Sequence, residues 1–269
     1  MSSGNKELPD GIARAVSEMQ MPLGPDSYTP LYYKSLPEMA QIRADAPDAS
    51  NMARDVVATV AAIASGGSAS DADTTEYLAR CATAILLLGH GATDEAHDLV
   101  SPLSWPNELA FAYGPPVVVP ENVLTLSSYV HALVHRREGP FASEFGMTGF
   151  SNADYWAGSA LRSPDGAEAL PLEEIRDSIM AVAASQPRYA QDATVQQWVQ
   201  DNVAGDMAFP VWDPRVLNEL CCNLQAQQSK QPQAAGVDGG ALQAFAEEAI
   251  LAEMKVLLKH TLKAIGYQV

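Results

Sequence analysis

The stretch from 122 to 138, NVLTLSSYVHALVHRRE, predicts a helix over about residues 122–137 that decides the fold class of this chain. Apolar residues such as Val123 and Val130 recur along it at the spacing of one helix face. Gly139 and Pro140 follow directly, and both residue types end helices. The pattern is that of a helix with one apolar side and one polar side.

Similar helical patterns extend outward from this stretch. They predict helices over residues 50–65, 73–88, 94–101, 151–160, 172–184, 193–202, 214–228 and 241–265, and a short one over 9–19. Residues 73–101 should form a helical hairpin, residues 101–121 a structured loop, and Ser151 or Asn152 should cap the helix at 151–160. No segment alternates convincingly like a strand. The predicted fold class is mainly α, a single globular multi-helix domain built from antiparallel helix hairpins, with long structured loops.

The organisation of the chain follows from its composition. Residues 1–35 are rich in Pro, Gly, Tyr and Ser and are expected to form an irregular N-terminal arm. Residues 36–228 form the predicted helical core domain that carries the candidate site. Residues 229–240, SKQPQAAGVDGG, are typical of a linker or loop, and residues 241–269 are expected to form a C-terminal helix that packs on the core.

Charge and cysteine content limit the classes of partner. The chain has 269 residues with 33 acidic and 16 basic side chains, and a net charge of −17 repels phosphate backbones and anionic lipids. We therefore expect no nucleic-acid and no membrane partner. The three cysteines show no metal-binding spacing, and neither a signal peptide nor a transmembrane segment is seen. The predicted location is intracellular and soluble, most simply cytoplasmic.

A polar stripe runs along the predicted helix at 122–137 and continues to Glu138. Ser128, His131, His135 and Glu138 are three or four residues apart, so they are neighbours on one helix face. His131 and His135 can therefore point into the same space, as they do when a helix supplies two imidazoles to a metal. Residue 132 is Ala, and the Glu that marks zinc peptidases at that position is missing.

The preceding helix offers residues that could complete a site. Asp94 and His97 are three apart and share a helix face, but a di-metal centre would need a second copy of this motif in the same order. The candidate catalytic residues are therefore His131, His135, Glu138, His97 and Asp94. A divalent transition metal, if one is used, would be bound by His97, His131 and His135, and no other cofactor is indicated.

The same region also suggests a ligand. Arg136 and Arg137 offer forked donors for a carboxylate or phosphate, and form a local positive spot on an acidic chain. They predict a small anionic ligand, with Asn152, Tyr155 and Trp156 as further binding residues. The alternative interpretation is that both arginines simply stabilise the C-terminal end of a helix.

Two segments carry a resemblance. They are HALVHRRE, which begins at His131, and FSNADYW, which ends at Trp156. The chain resembles a group of uncharacterised proteins that share an HxxxHRRE segment followed by a (F/Y)SNAxYW segment. Those proteins also carry an acidic pair and a histidine on an earlier helix, and Asp94 to His97 looks like the counterpart. The resemblance implies a site within residues 85–160 and implies no reaction.

Two hypotheses follow for the function. The first is an enzyme that acts on a small anionic molecule through the His/Arg/Glu cluster, with or without a metal, by an undetermined reaction. The alternative is a non-catalytic helical scaffold that binds a protein partner, in which the polar cluster is a structural network. No GxSxG elbow, phosphate-binding loop or dinucleotide-binding motif is present, so the common nucleophile and nucleotide signatures do not apply.

Overall fold

Helices account for nearly all of the chain that the structure, a computed structural model, describes. The described residues are 7–8, 10–19, 72–91, 93–105, 119–140, 146–162, 168–204, 212–230 and 240–269. Within them there are ten α-helices and no strand, which confirms the mainly α prediction. The helix predicted at 50–65 lies outside these residues, as do most of the N-terminal arm and residues 231–239 of the predicted linker.

The helices follow one another in this order. They are α1 (Asp10–Glu18), α2 (Ala72–Gly89), α3 (Thr93–Ser104), α4 (Glu121–Glu138), α5 (Gly149–Ala160), α6 (Leu172–Ser185), α7 (Pro187–Ala190), α8 (Ala193–Val199), α9 (Arg215–Lys230) and α10 (Gly240–Ile265). A π-helical turn, Gln200–Ala204, continues α8. Their bounds lie close to the predicted ones wherever the apolar periodicity was clear.

The predicted hairpin is formed by α2 and α3. Gly91 adopts a positive φ of 83° in the turn between them, a conformation that glycine accepts without strain. Helix α3 extends further than predicted: it includes Pro102 and ends at Ser104. The predicted loop over 101–121 therefore begins later than expected, and residues 106–118 lie outside the described part of the chain.

Helix α4 lies in the middle of the molecule. It packs against α2, α3 and α5, and every side chain from Thr125 to Arg137 is buried. The sequence pattern indicated only one apolar side, whereas in the structure the polar side of α4 is buried as well. The partners of these side chains therefore bear on their roles, because an unpaired buried polar group is costly.

One hydrophobic core joins the helices. It contains residues from α1 to α10, including Ile12, Ile85, Val130, Leu217 and Leu257. Helix α10 packs on α2 and α6 and contributes a long row of apolar side chains to this core. None of the described helices combines the length and the hydropathy that crossing a bilayer requires.

The start of α5 is pressed against the end of α4. Thr148, and not the predicted Ser151 or Asn152, caps α5, because the helix begins earlier than its sequence pattern suggested. A Cβ atom on Gly149 would lie 2.5 Å from the carbonyl oxygen of His135, so only glycine fits there. The backbone N–H of Phe150 donates to the carbonyl of Gly139 at 3.0 Å. These contacts hold α5 in place beside the histidines of α4.

Candidate metal centre

Three histidine side chains meet at the interface of α3 and α4. The ring centroid of His97, on α3, lies 4.9 Å from that of His131 and 5.3 Å from that of His135, both on α4. The rings of His131 and His135 stack with their centroids 4.6 Å apart, whereas His97 meets both of them edge-on. The structure thus brings together all three histidines that the sequence proposed as metal ligands.

The donor atoms of this triad are close enough to share one ion. One ring nitrogen from each histidine lies within 4.8 Å of the other two. Nitrogens bound tetrahedrally to an ion at about 2.1 Å are about 3.4 Å apart. Ring rotations that move the nitrogen atoms by about an ångström would therefore complete the coordination. His131 and His135 are buried and His97 is partly exposed, so His97 is the most exposed member of the triad.

Glu138 orients one of the three imidazoles. Its Oε2 lies 2.7 Å from Nδ1 of His135, one turn earlier on α4. A carboxylate that accepts from Nδ1–H fixes the tautomer in which Nε2 carries the lone pair. Histidines that bind metals commonly have such a partner, which sets the ring orientation and raises the basicity of the ligand nitrogen. The sequence predicted Glu138 as a catalytic residue, and its observed contact is with His135.

His131 is the most enclosed histidine of the three. Its side chain is 2 % exposed, and neither ring nitrogen has a hydrogen-bond partner among the described residues. Burial lowers its pKa well below the ordinary value, and the imidazoles of His135 and His97 lower it further. The ring is therefore neutral at physiological pH and keeps a nitrogen lone pair, the form that binds a metal.

Aromatic side chains of α5 and the end of α3 cover the triad. The indole of Trp156 stacks on His131 with centroids 4.2 Å apart and planes inclined by 20°. Trp105 meets Trp156 edge-on at 5.3 Å, and Tyr155 meets it at 5.0 Å. Tyr155 is 46 % exposed and Asn152 is half-buried, so both predicted ligand-binding residues lie towards solvent on α5.

Arg136 lies on a different side of α4 from the histidines. Its Nη1 donates to Oε2 of Glu253 at 2.5 Å, and its Nη2 donates to the carbonyl of Pro214 at 2.9 Å. The hydroxyl of Tyr129 donates to the same carboxylate at 2.7 Å and accepts from the indole of Trp212 at 3.1 Å. The charge of Arg136 is thus neutralised inside the protein by α10, and its predicted role in binding an anion remains a prediction.

Arg137 also lies near acidic and thiol groups of other helices. Burial raises the pKa of Glu247, on α10, and a hydrogen bond from Gln243 and the charge of Arg137 both oppose that shift. The same charge lowers the pKa of Cys221, on α9, although burial raises it overall. The guanidinium is therefore within electrostatic reach of α9 and α10.

Two participants were not predicted from the sequence. Glu253 is an acid at a position that fits the apolar periodicity of α10, between Ile250 and Leu257, and that mismatch was the available signal. Trp105 lies in a segment that was expected to be a loop. Asp94 lies in the first turn of α3, but its side chain is outside the part that the structure describes, so its proposed role is untested.

Comparison with models of known families, with curated proteins and with solved structures finds no match for this chain. The resemblance to proteins with HxxxHRRE and (F/Y)SNAxYW segments therefore remains a prediction. The description of the site rests on its own geometry: a triad of imidazoles, one oriented by a carboxylate and one covered by an indole.

Proposed function

We propose that this protein is a metal-dependent enzyme that binds a divalent transition metal through His97, His131 and His135 and acts on a small anionic molecule. The observation that carries the proposal is the convergence of three imidazole nitrogens within 4.8 Å of one another. Imidazole is a ligand of choice for zinc, copper, iron and nickel, and three such ligands leave coordination positions for substrate and water.

The state of His131 supports a ligand role over a purely structural one. A buried histidine in a structural network normally donates from one nitrogen and accepts at the other, because unmade hydrogen bonds of buried groups cost about 1–3 kcal/mol each. Both nitrogens of His131 lack such partners among the described residues. Coordination of an ion by one nitrogen would recover part of this cost.

The charge of the site supports an anionic substrate. Imidazole binds a metal as an uncharged ligand, so three of them leave the charge of a divalent ion uncompensated, and the carboxylate of Glu138 offsets only part of it. An anion is therefore attracted without any help from Arg136, which is paired with Glu253. A divalent ion bound there supplies a Lewis acid, while Glu138 holds the ring of His135 in its ligand orientation.

The alternative, a helical scaffold with a structural polar network, accounts for a different part of the molecule. The contacts of Arg136, Glu253 and Tyr129 have the properties of such a network, since their charges and hydrogen bonds are matched internally. In the triad, by contrast, neither ring nitrogen of His131 has a hydrogen-bond partner among the described residues. A protein partner for the chain remains a prediction without a supporting contact.

Metal binding can be tested on the purified chain after removal of bound ions with a chelator. We expect one Zn²⁺ or Co²⁺ ion per chain, and stabilisation of about 2.7 kcal/mol when the free ion is at a hundred times its Kd. His131→Ala and His135→Ala should each weaken binding by more than about a hundredfold, because a ligand contributes more than an outer-shell partner. His260→Ala is the matched control, because His260 lies on α10 and its side chain interacts with Glu174 and the backbone of Ala169.

The substrate class is tested with the Co²⁺ form. Inorganic phosphate or acetate should change its visible absorption spectrum, because an anion that enters the open coordination position alters the ligand field. If the spectrum stays unchanged with phosphate and acetate each in large excess over the Co²⁺ form, the proposed anionic substrate class is refuted. If Zn, Fe, Mn, Ni, Co and Cu all fail to bind stoichiometrically, or if His131→Ala binds like the unaltered chain, the metal centre itself is refuted.

A further inference from the structure

We infer that Trp156 is a positioning residue of the metal centre, which fixes the imidazole of His131 by stacking on it. The inference rests on the proposed function, because it concerns how one of the three ligands is oriented. Trp156 was predicted from the sequence to contact substrate. That contact stays a prediction, and the structure shows its indole over the ring face of His131, at 4.2 Å and nearly parallel.

The two ligands on α4 differ in how they are oriented. His135 is held through Nδ1 by the carboxylate of Glu138, the usual arrangement for a histidine that binds a metal. His131 has no hydrogen bond from either ring nitrogen to any residue that the structure describes. Its χ2 angle therefore has no polar restraint, and packing has to set the direction of its lone pair.

Packing holds His131 from both faces. A second ring stacks on it, that of His135, with centroids 4.6 Å apart and planes inclined by 24°. Two rings that lie this close and this nearly parallel cannot share one face without overlapping, so His135 and Trp156 cover opposite faces. A rotation of the His131 ring would then collide with an aromatic ring on either side.

The indole is itself firmly placed. Trp156 is 4 % exposed, packs against Ala132 and Ala157, and meets the ring of Trp105 edge-on at 86°. The helix that carries it begins in direct contact with α4, and the backbone of α4 leaves no room for a side chain at position 149. The position of Trp156 relative to the histidines is thus fixed both by the packing of its side chain and by the contact of α5 with α4.

Stacking also favours the metal-bound form. An imidazole that donates its lone pair to a divalent ion gains positive charge, and the face of an indole attracts a cation. The contact between Trp156 and His131 should therefore strengthen when the ion binds. A flexible apolar side chain without a π face, such as Met, would fill part of the space and would supply neither the parallel surface nor this attraction.

The test compares Trp156→Phe with Trp156→Met in the full chain, using Co²⁺ as the probe. The Met variant should bind Co²⁺ about tenfold more weakly or worse, the loss typical of outer-shell partners, and its visible spectrum should change. The Phe variant, which keeps an aromatic face, should retain the original spectrum. Trp198→Met is the matched control, because Trp198 packs on Phe245 and not on the triad.

The outcomes are separable. An unaltered chain that binds no Co²⁺ refutes the proposed function, and the role of Trp156 with it. If the unaltered chain binds and Trp156→Met matches it in affinity and spectrum, or if Phe and Met are equally impaired, only the role of Trp156 is refuted. Should Trp156→Met fail to fold, the Zn²⁺-bound unaltered chain decides: a nuclear Overhauser effect between the Trp156 and His131 rings is expected, and its absence overturns the inference.

Discussion

Replacement of Glu253 by Gln tests the polar network that links α4 to α10. The substitution keeps the size of the side chain but removes its charge, and it turns one acceptor oxygen into an NH₂ donor. Arg136 and Tyr129 both donate to this carboxylate, so one of the two donors would face another donor. The guanidinium of Arg136 would also be left as an uncompensated charge inside the protein.

The size of the effect follows from burial. The side chain of Arg136 is 3 % exposed and that of Glu253 is 0 % exposed, so solvent cannot replace the missing partner. Breaking a buried pair by removal of one charge costs about 3–5 kcal/mol, a large share of the roughly 5–15 kcal/mol that stabilises a typical domain. We expect Glu253→Gln to lose at least about 3 kcal/mol of unfolding free energy.

Urea denaturation of the metal-free chain, followed by circular dichroism, measures this loss. Glu18→Gln is the control, because its pair with Arg14 is 3.6 Å long and solvent-exposed and should contribute less than about 0.5 kcal/mol. Removing the cation as well, in Arg136→Met/Glu253→Gln, should cost clearly less than the sum of the two single changes. A loss for Glu253→Gln that equals that of Glu18→Gln, or strict additivity in the double variant, would refute the reasoning.

The close approach of α5 to α4 and the burial of two thiols can also be tested. Gly149→Ala should destabilise the protein by about 1–3 kcal/mol, because the new methyl group meets backbone atoms at the end of α4, whereas Gly158→Ala has free space and should stabilise it by about 0.5–1 kcal/mol. Equal effects in urea denaturation would contradict the close contact. Burial raises the pKa of Cys81 and of Cys221 to about 12, and Cys222 is exposed. A thiol reagent at pH 8 should therefore modify one cysteine in the native protein and none in Cys222→Ser; reaction of two or more would show that the buried thiols are accessible.

Much of the fold could be predicted from the spacing of apolar residues along the sequence. Apolar residues at helical spacing predicted α2, α4, α6 and α10 to within a few residues, because the period of a helix is a property of the backbone and the side chains only mark it. The errors fall where local signals are weak. The helix predicted over 94–101 continues through Pro102 to Ser104, and Thr148 caps α5 in place of the predicted Ser151 or Asn152.

The candidate site divides in the same manner. The convergence of His131 and His135 was determined by the sequence alone, since residues four apart on a helix lie side by side whatever surrounds them. The contact of Glu138 with His135 belongs to the same local geometry. The third ligand, His97, could be proposed from its motif, but only the packing of α3 on α4 brings its ring within 5 Å of His131.

Tertiary structure alone decided the roles of the remaining residues. Arg136 adjoins the histidines in sequence, yet it is turned towards Glu253, which lies 117 residues further along the chain. The stacking of Trp156 on His131 likewise joins two helices whose sequences give no sign of the contact. Helix periodicity states which side chains share a face. It carries no information on which helix covers that face, because partners distant in sequence are chosen by the packing of the whole core.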